Sequence, residues 1–217
     1  MPTVDARDLV RRRTTLQAPP AVPELVLHLG EDITGACEDL ERELGQGAMP
    51  PPFWAFAWLG GQALARYLLD RPQEVAGRSV LDLATGSGLC ALAALRAGAG
   101  QVRAVDIDEY AVVAARLNAE ANGLVLQAEQ ADLLDAPPPA VQVLLAGDVC
   151  YDRAMTDRVV PWLRAAAAGG TRVLLGDPGR HYLPQTGTEL LASYDVPTTR
   201  DLEGVTVKTV RVYALEA

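Results

Sequence analysis

The run Val80-Leu81-Asp82-Leu83-Ala84-Thr85-Gly86-Ser87-Gly88-Leu89 constrains this chain more than any other. An apolar stretch carries an acid near its end, a loop of small residues follows, and an Ala/Leu-rich segment begins at once. Small residues let backbone approach a ligand closely, and such a loop belongs at the carboxyl edge of a parallel sheet. Two more acid-tipped runs follow: Val102-Arg103-Ala104-Val105-Asp106, and Val141 to Leu145 leading into Gly147-Asp148-Val149-Cys150-Tyr151. Strand-like and helix-like patterns alternate between them, as in a parallel sheet with right-handed crossovers.

The spacing predicts strands near 79–84, 101–106, 124–128, 141–148 and 171–176, with helices near 88–97, 108–121 and 153–167. Asn122-Gly123 and Gly169-Gly170 read as helix ends. A short helix near 186–193 and two terminal strands near 194–201 and 205–215 complete the pattern. Upstream, Phe53 to Leu69 reads as one helix entered through Pro50-Pro51-Pro52, with Trp54 and Trp58 on one face at i, i+4. Residues 37–44 read as a short acidic helix, and Val22 to Leu29 as an edge strand or an extended arm. The expected fold is α/β: a Rossmann-like sheet of five parallel strands plus a terminal antiparallel pair, flanked by helices. Residues 1–45 form an N-terminal arm with a short helix, and 46–217 form one domain. The basic N-terminus also carries Asp5 and Asp8 and lacks an apolar stretch, so it reads as a solvated arm rather than a targeting peptide.

Composition excludes several classes. The net charge of −9 disfavours nonspecific nucleic-acid binding, which needs a basic footprint. The three cysteines, Cys37, Cys90 and Cys150, are far apart, and His28 and His181 are the only histidines. That argues against a disulfide framework and against a metal centre. Reduced thiols and the lack of an 18-residue apolar run point to the cytoplasm, with no membrane partner. A single lysine, Lys208, and abundant alanine suggest a GC-rich bacterial genome.

A dinucleotide fold needs a third glycine to hold a pyrophosphate, and that position is Ala91 here. Asp82 would also repel phosphate. The three acid-tipped strands instead resemble a seven-strand methyltransferase that uses S-adenosylmethionine and releases S-adenosylhomocysteine. On that reading Ala84, Thr85, Gly86 and Gly88 form the cofactor loop, although the methyltransferase consensus has glycine at Ala84. Asp82 holds the ammonium of the methionine moiety. Asp106, with Ile107 beside it, binds the ribose diol; the alternative role, capping the next helix, falls equally to Asp108. Trp58 and Gly60-Gly61 line the methionine end, because two glycines in a helix imply a close backbone approach. Asp148 holds and orients an acceptor amine and Tyr151 walls its channel; the alternatives are a helix cap and a packing residue, with Asp152 competing for the cap.

The segments PPPFWAFAWLGGQALARYLLD, VLDLATGSG, AGDVCYD and GDPGRHYLP strongly resemble the lysine methyltransferases of the electron transfer flavoprotein β-subunit, including bacterial members, over residues 22 to 217. The resemblance implies lysines of a folded protein as acceptors: the flavoprotein β-subunit, a ribosomal stalk protein, or both. It carries Asp82, Gly86 and Gly88 over as cofactor loop, Asp106 as ribose ligand, Asp132 as a residue near the adenine amino group, and Asp148 with Tyr151 as the acceptor motif. Arg180 and His181 are expected on the substrate side, and the acidic residues Glu31, Asp32, Glu38, Asp39, Glu41 and Glu43 against a basic loop of the partner, unless they are only a solvated helix face. The enzyme is expected to be monomeric. The competing readings are a methyltransferase of small, nicotinamide-like amines and a catalytically degenerate cofactor-binding protein.

Overall fold

A computed structural model describes residues 5–32, 35, 51–200 and 204–217. The expected helix near 37–44, Cys37 and the acids Glu38, Asp39, Glu41 and Glu43 lie outside the described residues.

The centre is a seven-stranded sheet built from β3 (Ser79–Leu83), β4 (Gln101–Asp106), β5 (Gln127–Gln130), β6 (Val143–Gly147), β7 (Arg172–Asp177), β8 (Thr188–Pro197) and β9 (Val207–Leu215). Its spatial order is β5-β4-β3-β6-β7-β9-β8. The first five are parallel, and β9 runs antiparallel to both β7 and β8. The chain leaves β3 in one direction to β4 and β5, then returns to the other side as β6 and β7. The order therefore reverses between β3 and β6, where open parallel sheets bind ligands.

Side-chain alternation sorts the core. Along β3 and β6, Val80, Val143 and Leu145 pack in one buried cluster, and Leu81, Leu83, Leu144 and Ala146 in the cluster on the opposite face. Helices α2 (Leu59–Asp70) and α3 (Leu89–Arg96) supply Leu64, Leu68 and Leu92 to the first cluster. Helix α5 (Arg153–Ala168) supplies Leu163 and Trp162 to the second. A fully buried leucine contributes about 1.5–3 kcal/mol relative to an exposed one, so these two layers dominate stability. Helix α4 (Glu109–Ala121) covers the sheet between β4 and β5, and its end at Asn122-Gly123 carries a positive φ of 66° at Gly123.

Three expectations are corrected. The N-terminal arm is not solvated: α1 (Ala6–Arg13) is capped by Asp5, and its Leu9 and Val10 are 0% exposed against Trp54, Phe56 and Leu117. After it, β1 (Thr15–Gln17) and β2 (Leu27–Leu29) pair only with each other, and Asn118 of α4 holds β2 by accepting from the His28 N–H at 2.7 Å. The helix expected near 186–193 is strand β8, because pairing with the alternating, β-branched strand β9 satisfies its backbone and a register shift at Leu190/Ala192 absorbs the mismatch. The long helix expected from Phe53 is a 3₁₀ turn (Phe53–Ala55), an extended stretch at Phe56 to Trp58, and then α2. Trp54 and Trp58 therefore share no helix face.

Candidate active site

The strand tips converge on a cavity of about 320 Å³ at the switch point between β3 and β6. That volume suits a small organic ligand. Ala84, Gly86, Asp106, Ile107, Asp132, Asp148, Tyr151 and Trp58 all line it. Asp82, Thr85, Gly88 and Gly60 do not, and each has a different task.

Asp82 shares the strand face of Val80, beneath α3, and is 2% exposed. One of its oxygens accepts from Thr85 Oγ1 at 2.5 Å and from the Ala91 N–H at 3.1 Å. The carboxylate thus ties loop to helix, and Thr85 is its partner. Asp82 is not among the residues that line the cavity. Burial pushes its carboxyl up to about 7, against the hydrogen bonds from Thr85 and Ala91. Gly88 opens α3 with φ 82°, and a Cβ there would come within 2.9 Å of the Ala115 Cβ. Gly88 is needed for the packing of α3 against α4.

Ala84 has φ 53°, a left-handed conformation that L-residues adopt at a cost. The glycine of the methyltransferase consensus would meet that geometry without strain. Gly86 has φ 50° and donates its N–H to Asp106 Oδ2 at 2.9 Å. Asp106 Oδ1 accepts from the Asp108 N–H at 3.0 Å. Asp108 itself caps α4 by accepting from the Tyr110 N–H, which leaves Asp106 at the cavity wall. Burial raises the Asp106 carboxyl above its ordinary range, and the N–H groups of Asp108 and Gly86 oppose the shift. Asp132 pairs with Arg158 at 2.9 Å, and that contact holds its carboxyl below the ordinary range.

Asp152 caps α5 through the Met155 N–H, so Asp148 is not the cap of that helix. Asp148 caps a different one. Helix α2 begins at Trp58, whose indole has no acceptor, and no side-chain hydrogen bond is made by that residue to the helix start. Asp148 supplies both missing acceptors, from Gly60 N–H at 2.9 Å and Gly61 N–H at 2.7 Å. Its φ of 56° turns the carboxylate toward them. Burial pushes the Asp148 carboxyl up to about 7, the two amides oppose this, and Asp177 adds to it. A carboxylate can accept about four hydrogen bonds, so Asp148 keeps capacity for a further donor from the cavity.

Gly60-Gly61 does mark a close backbone approach, and the sheet is what it approaches. A Cβ at Gly60 would overlap the carbonyl of Gly176, with Gly176 C at 2.7 Å and Asp148 Cγ at 2.8 Å. Opposite, a Cβ at Gly147 would lie 2.9 Å from the Gly61 Cα. Helix α2 thus sits directly on the tips of β6 and β7.

At the rim, Tyr151 is 51% exposed and Ile107 69%. Arg180 lines the cavity as expected, its turn held by Asp177 Oδ1, which accepts from the Gly179 and Arg180 N–H groups. His181 is not among the lining residues. Sequence reasoning missed Arg158, Met155, Leu133 and Leu134 on the wall. Arg158 and Met155 lie one turn apart near the start of α5, a helix already placed after the Asp148 strand, which is the signal that could have found them. Among the described residues no group of three His, Cys, Asp or Glu side chains could hold a metal ion, and no helix is long and apolar enough to cross a membrane.

Comparison with known proteins agrees with this geometry. Residues 62–147 match the family described as ribosomal protein L11 methyltransferase (PrmA). The electron transfer flavoprotein beta subunit lysine methyltransferase of Danio rerio is 41% identical over 160 residues, covering 73% of this chain and 61% of that protein. That of Rattus norvegicus is 38% identical over 201 residues, covering 87% of this chain and 76% of that protein. The chain therefore spans between three fifths and three quarters of the length of these relatives. Among solved structures, a ribosomal protein L11 methylase from Lactobacillus delbrueckii subsp. bulgaricus superposes with a TM-score of 0.52 at 21% identity, covering 73% of this chain and 79% of that one, a likeness of fold alone. By its sequence similarity over most of its length, the chain belongs to the family of electron transfer flavoprotein β-subunit lysine methyltransferases.

Proposed function

We propose that this chain is an S-adenosylmethionine-dependent protein-lysine N-methyltransferase acting on the electron transfer flavoprotein β-subunit, a ribosomal protein, or both. Family membership supports the reaction, and one observation carries its application to this cavity. A carboxyl group, that of Asp148, lies at the inner wall, and the rim above it, with Tyr151 and Ile107, is open to solvent. An exposed rim suits a lysine presented on a protein surface; a small amine would be better served by an enclosed pocket.

The residues fit the cofactor. Apolar groups from Val105, Leu133 and Leu134 offer a wall for a purine, Asp106 two oxygens for a ribose diol, and Ala84 and Gly86 a backbone free of bulky side chains. Asp132, beside Leu133 on the same wall, is assigned to the exocyclic amine. Asp82 and Thr85 hold the loop in shape from behind. The cofactor, when bound, supplies an electrophilic methyl group on a cationic sulfur. The chain's own residues prepare the acceptor. A free lysine has a pKa of about 10.4, so it reaches the rim charged and must lose a proton to solvent there before transfer. Asp148 accepts a hydrogen bond from the incoming amine and fixes its direction, and Tyr151 limits its path. Positioning of this kind accounts for much of the rate in a bimolecular transfer.

The acceptor is read as protein rather than nucleic acid, in keeping with the charge of −9. A cytoplasmic monomer remains the reading for the enzyme, and Cys90 and Cys150, both buried free thiols, are in keeping with a reducing compartment. The test is transfer of labelled methyl from S-adenosylmethionine into lysate of the host lacking this gene. Label in a protein, mapped to lysine by mass spectrometry, is the expected result. Label confined to small molecules would move the assignment to an amine metabolite. Cofactor binding without any label would leave a degenerate binding protein.

A further inference from the structure

We propose that Phe53, Trp58 and Tyr151 form an aromatic slot that binds the alkylammonium group of the acceptor, with Phe53 as its central wall. The proposal rests on the lysine-methyltransferase reading and assigns the residues that select a cation there. All three rings line the cavity that contains Asp148. Phe53 lies between the other two: its ring centroid is 5.8 Å from Trp58 at an interplanar angle of 66°, and 6.1 Å from Tyr151 at 47°. The first pair meets edge to face and the second is tilted, so Phe53 is not stacked flat on either neighbour.

Packing alone does not explain this group. Phe53 is 42% exposed and Tyr151 half exposed, although Phe56 and Trp54 nearby are buried in the core. Exposed aromatic rings gathered at the mouth of a cavity mark a binding surface. The slot is also held in advance of any ligand. The Phe53 carbonyl accepts from Trp58 Nε1 at 2.9 Å and from the Phe56 N–H at 3.3 Å, so the turn that carries Phe53 also orients the indole. Preorganised rings lose little entropy on binding.

The chemistry of the slot suits a cation. Aromatic faces attract ammonium groups through their quadrupoles, tryptophan most strongly. Asp148 adds a carboxylate on the same cavity. Arg180 also lines it with the opposite charge, which Asp177 offsets from behind the same turn. Three rings offer few hydrogen-bond acceptors, so the slot recognises charge and shape rather than N–H groups. The rings should hold a fully alkylated ammonium as well as a primary one, while the hydrogen bond to Asp148 is open only to an ammonium that keeps an N–H.

The test needs no protein acceptor, so it is independent of the lysate assay. The full chain is saturated with S-adenosylhomocysteine, whose sulfur is neutral, and titrated with tetramethylammonium. The Trp58 indole N–H is followed by NMR and assigned with Trp58→Phe. Tetramethylammonium should shift this signal, and the neutral isostere 2-methyl-2-propanol should not. Phe53→Leu should weaken tetramethylammonium binding by about two- to five-fold, the scale of a cation–π contact at an exposed site. Equal binding of the neutral isostere would reduce the slot to an apolar patch. Binding only without S-adenosylhomocysteine would assign the rings to the cofactor's sulfonium. Unchanged affinity in Phe53→Leu, with Tyr151→Leu equally silent, would overturn the proposal. If lysate labelling fails but the slot binds its probe, the protein-acceptor reading falls and the cation site stands.

Discussion

Asp148 and Gly61 lie far apart in the chain, yet the Gly61 N–H donates to Asp148 Oδ2 at 2.7 Å, beside the matching bond from Gly60. One carboxylate thereby caps helix α2 from outside and marks the acceptor wall. Its two jobs are coupled, and they separate by substitution. Asp148→Ala leaves two buried amides without acceptors, each costing about 1–3 kcal/mol. The variant should lose methyl transfer and unfold at a clearly lower urea concentration. Asp148→Asn keeps one acceptor and should recover part of the stability without recovering transfer. Equal melting of Asp148→Ala and wild type would refute the capping role.

Gly60 and Gly61 are adjacent but not equivalent. A methyl at Gly60 would overlap Gly176 backbone, which cannot yield, whereas at Gly61 the nearest atoms are Asp148 Oδ2 at 3.8 Å and Cys90 Sγ at 3.9 Å. Gly60→Ala should therefore destabilise by about 3 kcal/mol, as overpacking against backbone does. Gly61→Ala should be neutral or stabilise by up to about 1 kcal/mol through helix propensity. Thermal melts of the pair decide this; a Gly60→Ala protein as stable as Gly61→Ala would contradict the packing of α2 on β7.

Ala84 holds φ 53° at the cavity wall. The left-handed conformation costs an L-residue about 1–2 kcal/mol, and a glycine returns about 0.4–1 kcal/mol of that through the entropy of its unfolded chain. Ala84→Gly should thus stabilise the protein by about 0.5–1 kcal/mol. Denaturant titration measures it, and a loss of stability would mean that the alanine methyl contributes packing that outweighs the strain.

The buried carboxyl of Asp82 gives stability a pH dependence. Burial lifts it from an ordinary 3.8 to about 7, so the folded state holds a proton that the unfolded state releases across that window. Stability from this group is accordingly full below the ordinary value and declines as pH rises towards 7. Asp82→Asn retains an acceptor for Thr85 and Ala91 and removes the titration. Urea midpoints between pH 4.5 and 7.5 should fall less steeply in Asp82→Asn than in wild type; parallel curves would show that Asp82 ionises normally in the fold.

The sequence by itself determined the parallel core of the sheet. Apolar runs buried on both faces, glycine-ended helices and acids at strand ends are local signals, because strand and helix periodicities place each side chain relative to its own backbone. They located β3, β4, β6 and β7 within a residue or two, and brought Ala84, Gly86, Asp106 and Asp148 to the cavity. The same alternation could have shown that Asp82 faces α3, since it shares the side of Val80. Only the tertiary structure decided the rest. The capping of α2 by Asp148 depends on β6 and β7 lying under that helix, a consequence of strand order that no local window contains. The strand at Thr188–Pro197 overrides its helical pattern because β9 is there to pair with it. Phe53, Trp58 and Tyr151 meet because a proline-led turn ends where α2 begins and the chain returns almost a hundred residues later at the tip of β6. Local chemistry set which residues were available; close approach in space, permitted by glycines at Gly60, Gly147 and Gly176, set which of them act together.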